Sequence, residues 1–190
     1  MKSRVDRLWL LFLLIWVLLS SLGPVIEFDI WFRLRLGQEI LAHGLAIGEP
    51  NFLWPQPALP LFVTPRFDRL FSVLVTLVYK ALGVGAFPLL VAGLVALMFL
   101  VLWKTLERIQ VEPALRVALL GLTFQLMRSR LMLRPQLVTD IALAGLLYIY
   151  FRDRERPIRH LPLIIGAYFL AWTSLHPGAA IGLPVLFCLF

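Results

Sequence analysis

The chain has 190 residues, 61% hydrophobic and only 15% charged, with 18 Lys and Arg against 11 Asp and Glu for a net charge of +7. Soluble domains are about 45–50% apolar and about 25% charged, so a mean hydropathy of +0.88 excludes an ordinary cytosolic domain and excludes disorder. The class expected is an all-α, polytopic integral membrane protein, and the basic excess reads as topology-setting charge and headgroup contact, not as a nucleic-acid surface.

Lys2, Arg4 and Arg7 precede an uncharged run of 19 residues from Leu8 to Ile26. As a helix that run measures about 28 Å, enough to cross a bilayer core. Basic residues ahead of a first span place the N-terminus in the cytoplasm. A cleaved signal peptide with Ser21-Leu22-Gly23 at its end is the rival; the reading taken is an uncleaved span over about 8–26.

Residues 27–82 form a long extracytoplasmic loop in this reading. Asp29 to His43 has helical spacing, with Ile30, Leu34, Gly37 and Leu41 on one face and Arg35, Glu39 and His43 opposite. Such a helix suits the membrane interface, and Asp29 at its start complements the helix dipole. Prolines at 50, 55, 57, 60 and 65 make the next stretch irregular. Only ten uncharged residues lie between Arg69 and Lys80, while Asp68, Ser72, Thr76 and Lys80 repeat every fourth position as a polar stripe. Residues 67–82 are therefore expected as a second juxtamembrane helix, with a true span the alternative.

Ala81 to Trp103 is uncharged for 23 residues and gives a span over about 84–103. Shorter runs give spans over about 114–127, extended by a snorkelling Arg116, and over 135–151, interrupted by Asp140. Two more follow over 161–176 and, incomplete, over 179–190. The whole reads as one transmembrane domain of five spans and a partial sixth, cut from a longer polytopic protein. With 67–82 in the interface, the basic loops 104–116 and 152–160 fall in the cytoplasm, as the positive-inside rule asks. Arg128, Arg130 and Arg134 then fall outside, where an anionic ligand would account for them. Trp31, Trp54, Trp103 and Trp172 lie near span ends, as an aromatic belt would place them.

The single cysteine, Cys188, excludes an intramolecular disulfide, and the scattered His43, His160 and His176 form no metal-binding or hydrolase motif. No cofactor and no metal are implied.

Asp29-Ile30-Trp31-Phe32-Arg33-Leu34-Arg35-Leu36-Gly37, followed by Ile40-Leu41-Ala42-His43-Gly44, resembles the D-x-W-W-H-L-R-x-G … I-L-x-x-G signature in the first outer loop of many bacterial membrane proteins of the GT-C glycosyltransferase superfamily. Glu49-Pro50 with Phe52 is similar to its D-P-F, Phe67-Asp68-Arg69-Leu70 to H-E-W-L, Arg134-Pro135-Gln136-Leu137 to R-P-x-L, and Ser174-Leu175-His176-Pro177-Gly178 to N-L-H-G-G. Arg33, Phe32, Glu49, Ser174 and Pro177 depart from the pattern. The resemblance covers only the N-terminal part of such an enzyme. It implies a pair of amphipathic helices in the outer loop, a catalytic carboxylate at the start of that loop, and a polyprenyl-phosphate-linked sugar as donor. It also implies residence in the bacterial cytoplasmic (inner) membrane.

Transfer of a sugar to an acceptor hydroxyl needs a general base, and Asp29 is the matched candidate, with Glu27 beside it. Its structural alternative is a dipole-stabilised helix start. The lipid phosphate leaving group needs cations, which arginine supplies bidentately. Arg130 and Arg134, four apart and expected on one helical face, are the candidates, with Arg128 near. Arg33, Arg35, Asp68, Asp140 and His176 complete the expected substrate-binding set. Asp140, inside a span, is either functional or paired with Arg130 or Arg134. Gly178 and Gly182 permit close helix packing. The competing functional reading is a non-catalytic subunit of a larger membrane complex, with the stripe at 68, 72, 76 and 80 facing its partner. A transporter fragment is weaker, because no internal repeat is visible.

Overall fold

The computed structural model describes residues 4–22, 28–44 and 69–189, and among them the chain is helical throughout, with no strand. Eight α-helices follow in order: α1 Arg4–Ser21, α2 Phe28–His43, α3 Arg69–Leu82, α4 Ala86–Arg108, α5 Pro113–Met127, α6 Pro135–Glu155, α7 Leu161–Leu175 and α8 Ala179–Leu189. A 3-10 turn, Arg128–Arg130, joins α5 to α6.

Local chemistry sets the helix bounds. Proline fits the first helical turn because the missing N–H has no partner there, and it holds the preceding residue extended. Pro113 and Pro135 open α5 and α6 in this way, and Pro162 sits in the first turn of α7 behind a left-handed His160. Glycine ends α2 and α3: Gly44 (φ 85°) and Gly83 (φ 73°) adopt the left-handed conformation and return their N–H groups to Ile40 and Tyr79, both at 2.8 Å.

The core is threaded on α4. Its Phe87, Val91, Val95, Met98, Phe99 and Trp103 are buried against Leu13 and Val17 of α1, Leu120 and Phe124 of α5, and Leu137 and Ala144 of α6. Edge-to-face contacts of Phe124 with Phe99 and Trp16, at ring separations of 5.7 and 5.1 Å, fix the α1–α4–α5 junction. The outside of α5, α7 and α8 is apolar as well, with Leu126, Leu163, Leu170 and Phe187 exposed. By length and apolarity together, α4 is the one helix among the described residues that suffices to cross a membrane; α7 and α8 are apolar but shorter.

Both expected juxtamembrane helices form and pack closely on each other. A Cβ at Gly37 of α2 would collide with Thr76 Oγ1 and the Ser72 carbonyl of α3. Thr76 donates to the Leu34 carbonyl at 3.3 Å. Ser72 and Thr76 are fully buried, so the middle of the polar stripe is spent inside the chain and does not face a partner; Lys80 is exposed, and Asp68 lies outside the described residues.

Three other expectations change. Leu41 is exposed on α2, and Leu36 and Ile40 are buried in its place. Arg116 does not snorkel: it is buried, donates from Nε to the Val111 carbonyl at 2.6 Å, and lies 5.2 Å over the Trp103 ring. Trp103 and Trp172 are buried core residues rather than belt residues, Trp31 is exposed, and Trp54 lies outside the described residues.

Candidate functional site

The two ends of the helical bundle carry different chemistry. At one end, the C-termini of α4 and α6 meet. Arg108 pairs with Glu155, donates to the Tyr148 hydroxyl at 3.0 Å and stacks 4.8 Å over that ring. Lys104, Glu107 and Gln110 complete the lining of a polar cavity of about 570 Å³ there.

The opposite end gathers several of the candidate residues. Asp29 sits in the first turn of α2, half exposed, with Arg33 one turn on at 3.7 Å. The Arg33 side chain is mostly buried, and its charge acts on His176, just past the end of α7. His176 Nδ1 lies 2.7 Å from the Thr139 hydroxyl in the second turn of α6. Asp140 is the next residue, half-buried, and the charge of Arg130 acts on it. Residues from α2, the α5–α6 connection, α6 and the end of α7 thus converge although the sequence separates them widely.

The arginine turn differs from expectation. Arg130 and Arg134 do not share a helical face. Arg128–Arg130 is a 3-10 turn, and Pro135 holds Arg134 extended (φ −122°, ψ 153°) as the residue before α6. All three arginines are exposed. The charge of Arg130 is the one that bears on Asp140.

Other candidates lie elsewhere. Arg35 points outward on α2, bound to Glu39 at 2.7 Å, and Glu39 also meets His43 at 3.3 Å. Glu27 and Asp68 lie outside the described residues. Among the described residues no group of three acidic, histidine or cysteine side chains is placed to hold a metal.

Next to the converging residues, an apolar groove of about 480 Å³ runs between α3, α4, α6 and α7. Val75, Leu94, Leu133, Val138, Ile141 and Leu175 are among its lining residues. Leu133, Val138, Ile141 and Leu175 each lie one or two residues from Arg134, Thr139, Asp140 or His176. Charge therefore borders a hydrocarbon-like slot.

Sequence reasoning missed Thr139 and Trp172. Trp172 Nε1 donates to Thr139 Oγ1 at 3.1 Å, tying α7 to α6 behind His176. The signal available was His176-Pro177-Gly178 after an apolar helix; nothing local to Thr139 marks it. Comparison with family models, with curated proteins and with solved structures finds no match.

Proposed function

We propose that this chain is a multi-pass protein of the bacterial cytoplasmic membrane and forms all or the N-terminal part of a GT-C-like glycosyltransferase that uses a polyprenyl-phosphate-linked sugar. The observation that carries the reading is the meeting of Asp29, Arg33, Arg130, Asp140 and His176 at one end of the bundle, against an apolar groove. A lipid-linked sugar phosphate has the same two-part chemistry. The apolar outer faces of α5, α7 and α8 support burial in lipid. Helices shorter than about 20 residues are tolerated where they are tilted, flanked by snorkelling side chains or set among longer ones.

In this reading the lipid tail lies in the groove and the phosphate meets the arginines. Asp29 removes the proton from the acceptor hydroxyl as its oxygen bonds to the anomeric carbon. The bond from that carbon to the phosphate oxygen breaks, and polyprenyl phosphate leaves with the electron pair. Arginine stabilises the charge gained by the leaving group. Attack opposite the departing phosphate inverts the anomeric centre.

In nanodiscs the chain should bind a polyprenyl phosphate more tightly than the polyprenol of equal length; equal affinity would overturn the reading. In the catalytically complete protein, Asp29→Asn should lower transfer by about 100-fold or more with donor binding little changed. Near-normal transfer by that variant, with loss in Glu27→Gln, would move the base to Glu27.

A further inference from the structure

His176 follows α7 in extended backbone (φ −158°, ψ 137°) and precedes Pro177-Gly178. The Gly178 N–H donates to His176 Nδ1 at 3.0 Å. A backbone N–H can only donate, so Nδ1 carries no proton and a neutral ring holds its hydrogen on Nε2. The Thr139 hydroxyl, 2.7 Å from the same nitrogen, must donate as well. Its oxygen in turn receives the Trp172 indole N–H at 3.1 Å, and that group too has no acceptor role. Gly178 and Thr139 share the single lone pair of Nδ1, and with that nitrogen bare the hydrogens run in one direction from Trp172 through Thr139 to His176.

Packing holds the relay in place. Thr139 and Trp172 are buried, at 6% and 2% exposure. A Cβ on Gly178 would collide with Thr139 Oγ1 and the His176 ring, and a Cβ on Gly182 would collide with the Trp172 ring. The two glycines leave the space that the three side chains fill. His176 itself is half-buried, and among the described residues no acceptor takes its Nε2–H. The charge of Arg33 acts on the ring, a surrounding that suits an anionic oxygen at Nε2.

We propose that Thr139 and Trp172 are positioning residues that lock His176 as a fixed Nε2–H donor to an anionic oxygen, that of a lipid-linked phosphate. The identity of the anion rests on the function proposed above; the locked tautomer does not. A ring held in this tautomer has no lone pair on Nε2. It stabilises charge on a leaving phosphate and leaves proton removal to a carboxylate.

The test uses the chain in nanodiscs, labelled with ¹⁵N-histidine, with the exposed His43 and His160 replaced by Gln. The His176 shifts should report protonated Nε2 and bare Nδ1. Thr139→Val should give mixed tautomers, and Thr139→Ser should restore the single form. Protonated Nδ1 in the unsubstituted relay, or a spectrum unmoved by Thr139→Val, would overturn the lock. Farnesyl phosphate serves as the binding probe. His176→Asn keeps an oxygen where Nδ1 accepts from Gly178 and Thr139 but has no donor at the Nε2 position. It should melt like the parent yet bind about tenfold or more weakly. His176→Gln, whose amide nitrogen reaches the Nε2 position, should recover part of that loss. Parental affinity in His176→Asn would make His176 a turn cap and overturn its donor role. If the parent binds farnesyl phosphate no better than farnesol, the phosphate assignment falls together with the glycosyltransferase reading, while the spectrum still decides the lock.

Discussion

Gly37 shows how one side chain's absence sets the distance between two helices. Its hydrogen faces Thr76 Oγ1 and the Ser72 carbonyl of α3, and a methyl group there would overlap both. The hydroxyl can rotate away, but the carbonyl belongs to the helix backbone and cannot. Gly37→Ala should therefore destabilise the chain by about 1–3 kcal/mol, the usual range for overpacking a tight core. Adding Thr76→Ala should recover only part of the loss, because Ser72 remains. Thermal unfolding of the three variants in detergent checks this, and full recovery in the double variant would show that the hydroxyl alone sets the spacing. The consequence reaches the site: α2 carries Asp29 and Arg33, so an α2 pushed off α3 moves both relative to His176.

At the scale of elements, the ends of α4 and α6 are clamped by Arg108, Glu155 and Tyr148. The ion pair is part-exposed, at 26% for Arg108 and 41% for Glu155. Solvent screening should keep its coupling at about 1 kcal/mol or less in a double-mutant cycle of Arg108→Gln and Glu155→Gln. Arg108→Ala should cost more than Glu155→Ala, since it also removes the stacking on Tyr148. Equal losses in unfolding experiments would show that the aromatic contact contributes nothing. Which elements were legible in the sequence follows from the same local physics. The start of α6 at Pro135 and the α2 and α3 helices were readable from spacing and turn chemistry. The break between the helix expected over 67–82 and the span expected over about 84–103 falls at the turn at Gly83. The arginine pair misled because a four-residue spacing implies one face only if helix continues, and the helical turn ends at Arg130. In the candidate site, Asp29, Arg33, Arg130, Asp140 and His176 were nameable from residue type and position. Thr139 and Trp172 were not, since their roles rest on contacts across 37 and 33 residues of sequence.

For the whole molecule, two contacts fix which loops share an end. Arg108 with Glu155 brings the α4–α5 and α6–α7 connections together. Thr139 with His176 brings the start of α6 to the end of α7, at the other end. Between them runs α6, 21 residues long, or about 32 Å of helix, close to the thickness of a bilayer core. In the proposed multi-pass reading α6 crosses the membrane, and Arg130 and Arg156 are expected on opposite sides. In that reading the positive-inside rule chooses the orientation through Arg152, Arg154, Arg156 and Arg159, which would put the α6–α7 connection in the cytoplasm. Arg128, Arg130 and Arg134 would then stand outside, against the rule, and the anionic donor proposed above would offset them. In a Cys188→Ser background, an impermeant maleimide added to intact cells should label Arg130→Cys and spare Arg156→Cys until the membrane is opened. Both positions are exposed, so silence is not a matter of burial. Labelling of Arg156→Cys from outside would invert the molecule, place the arginine turn in the cytoplasm, and remove the lipid-phosphate argument for it. Labelling of both from the same side would mean that α6 does not cross.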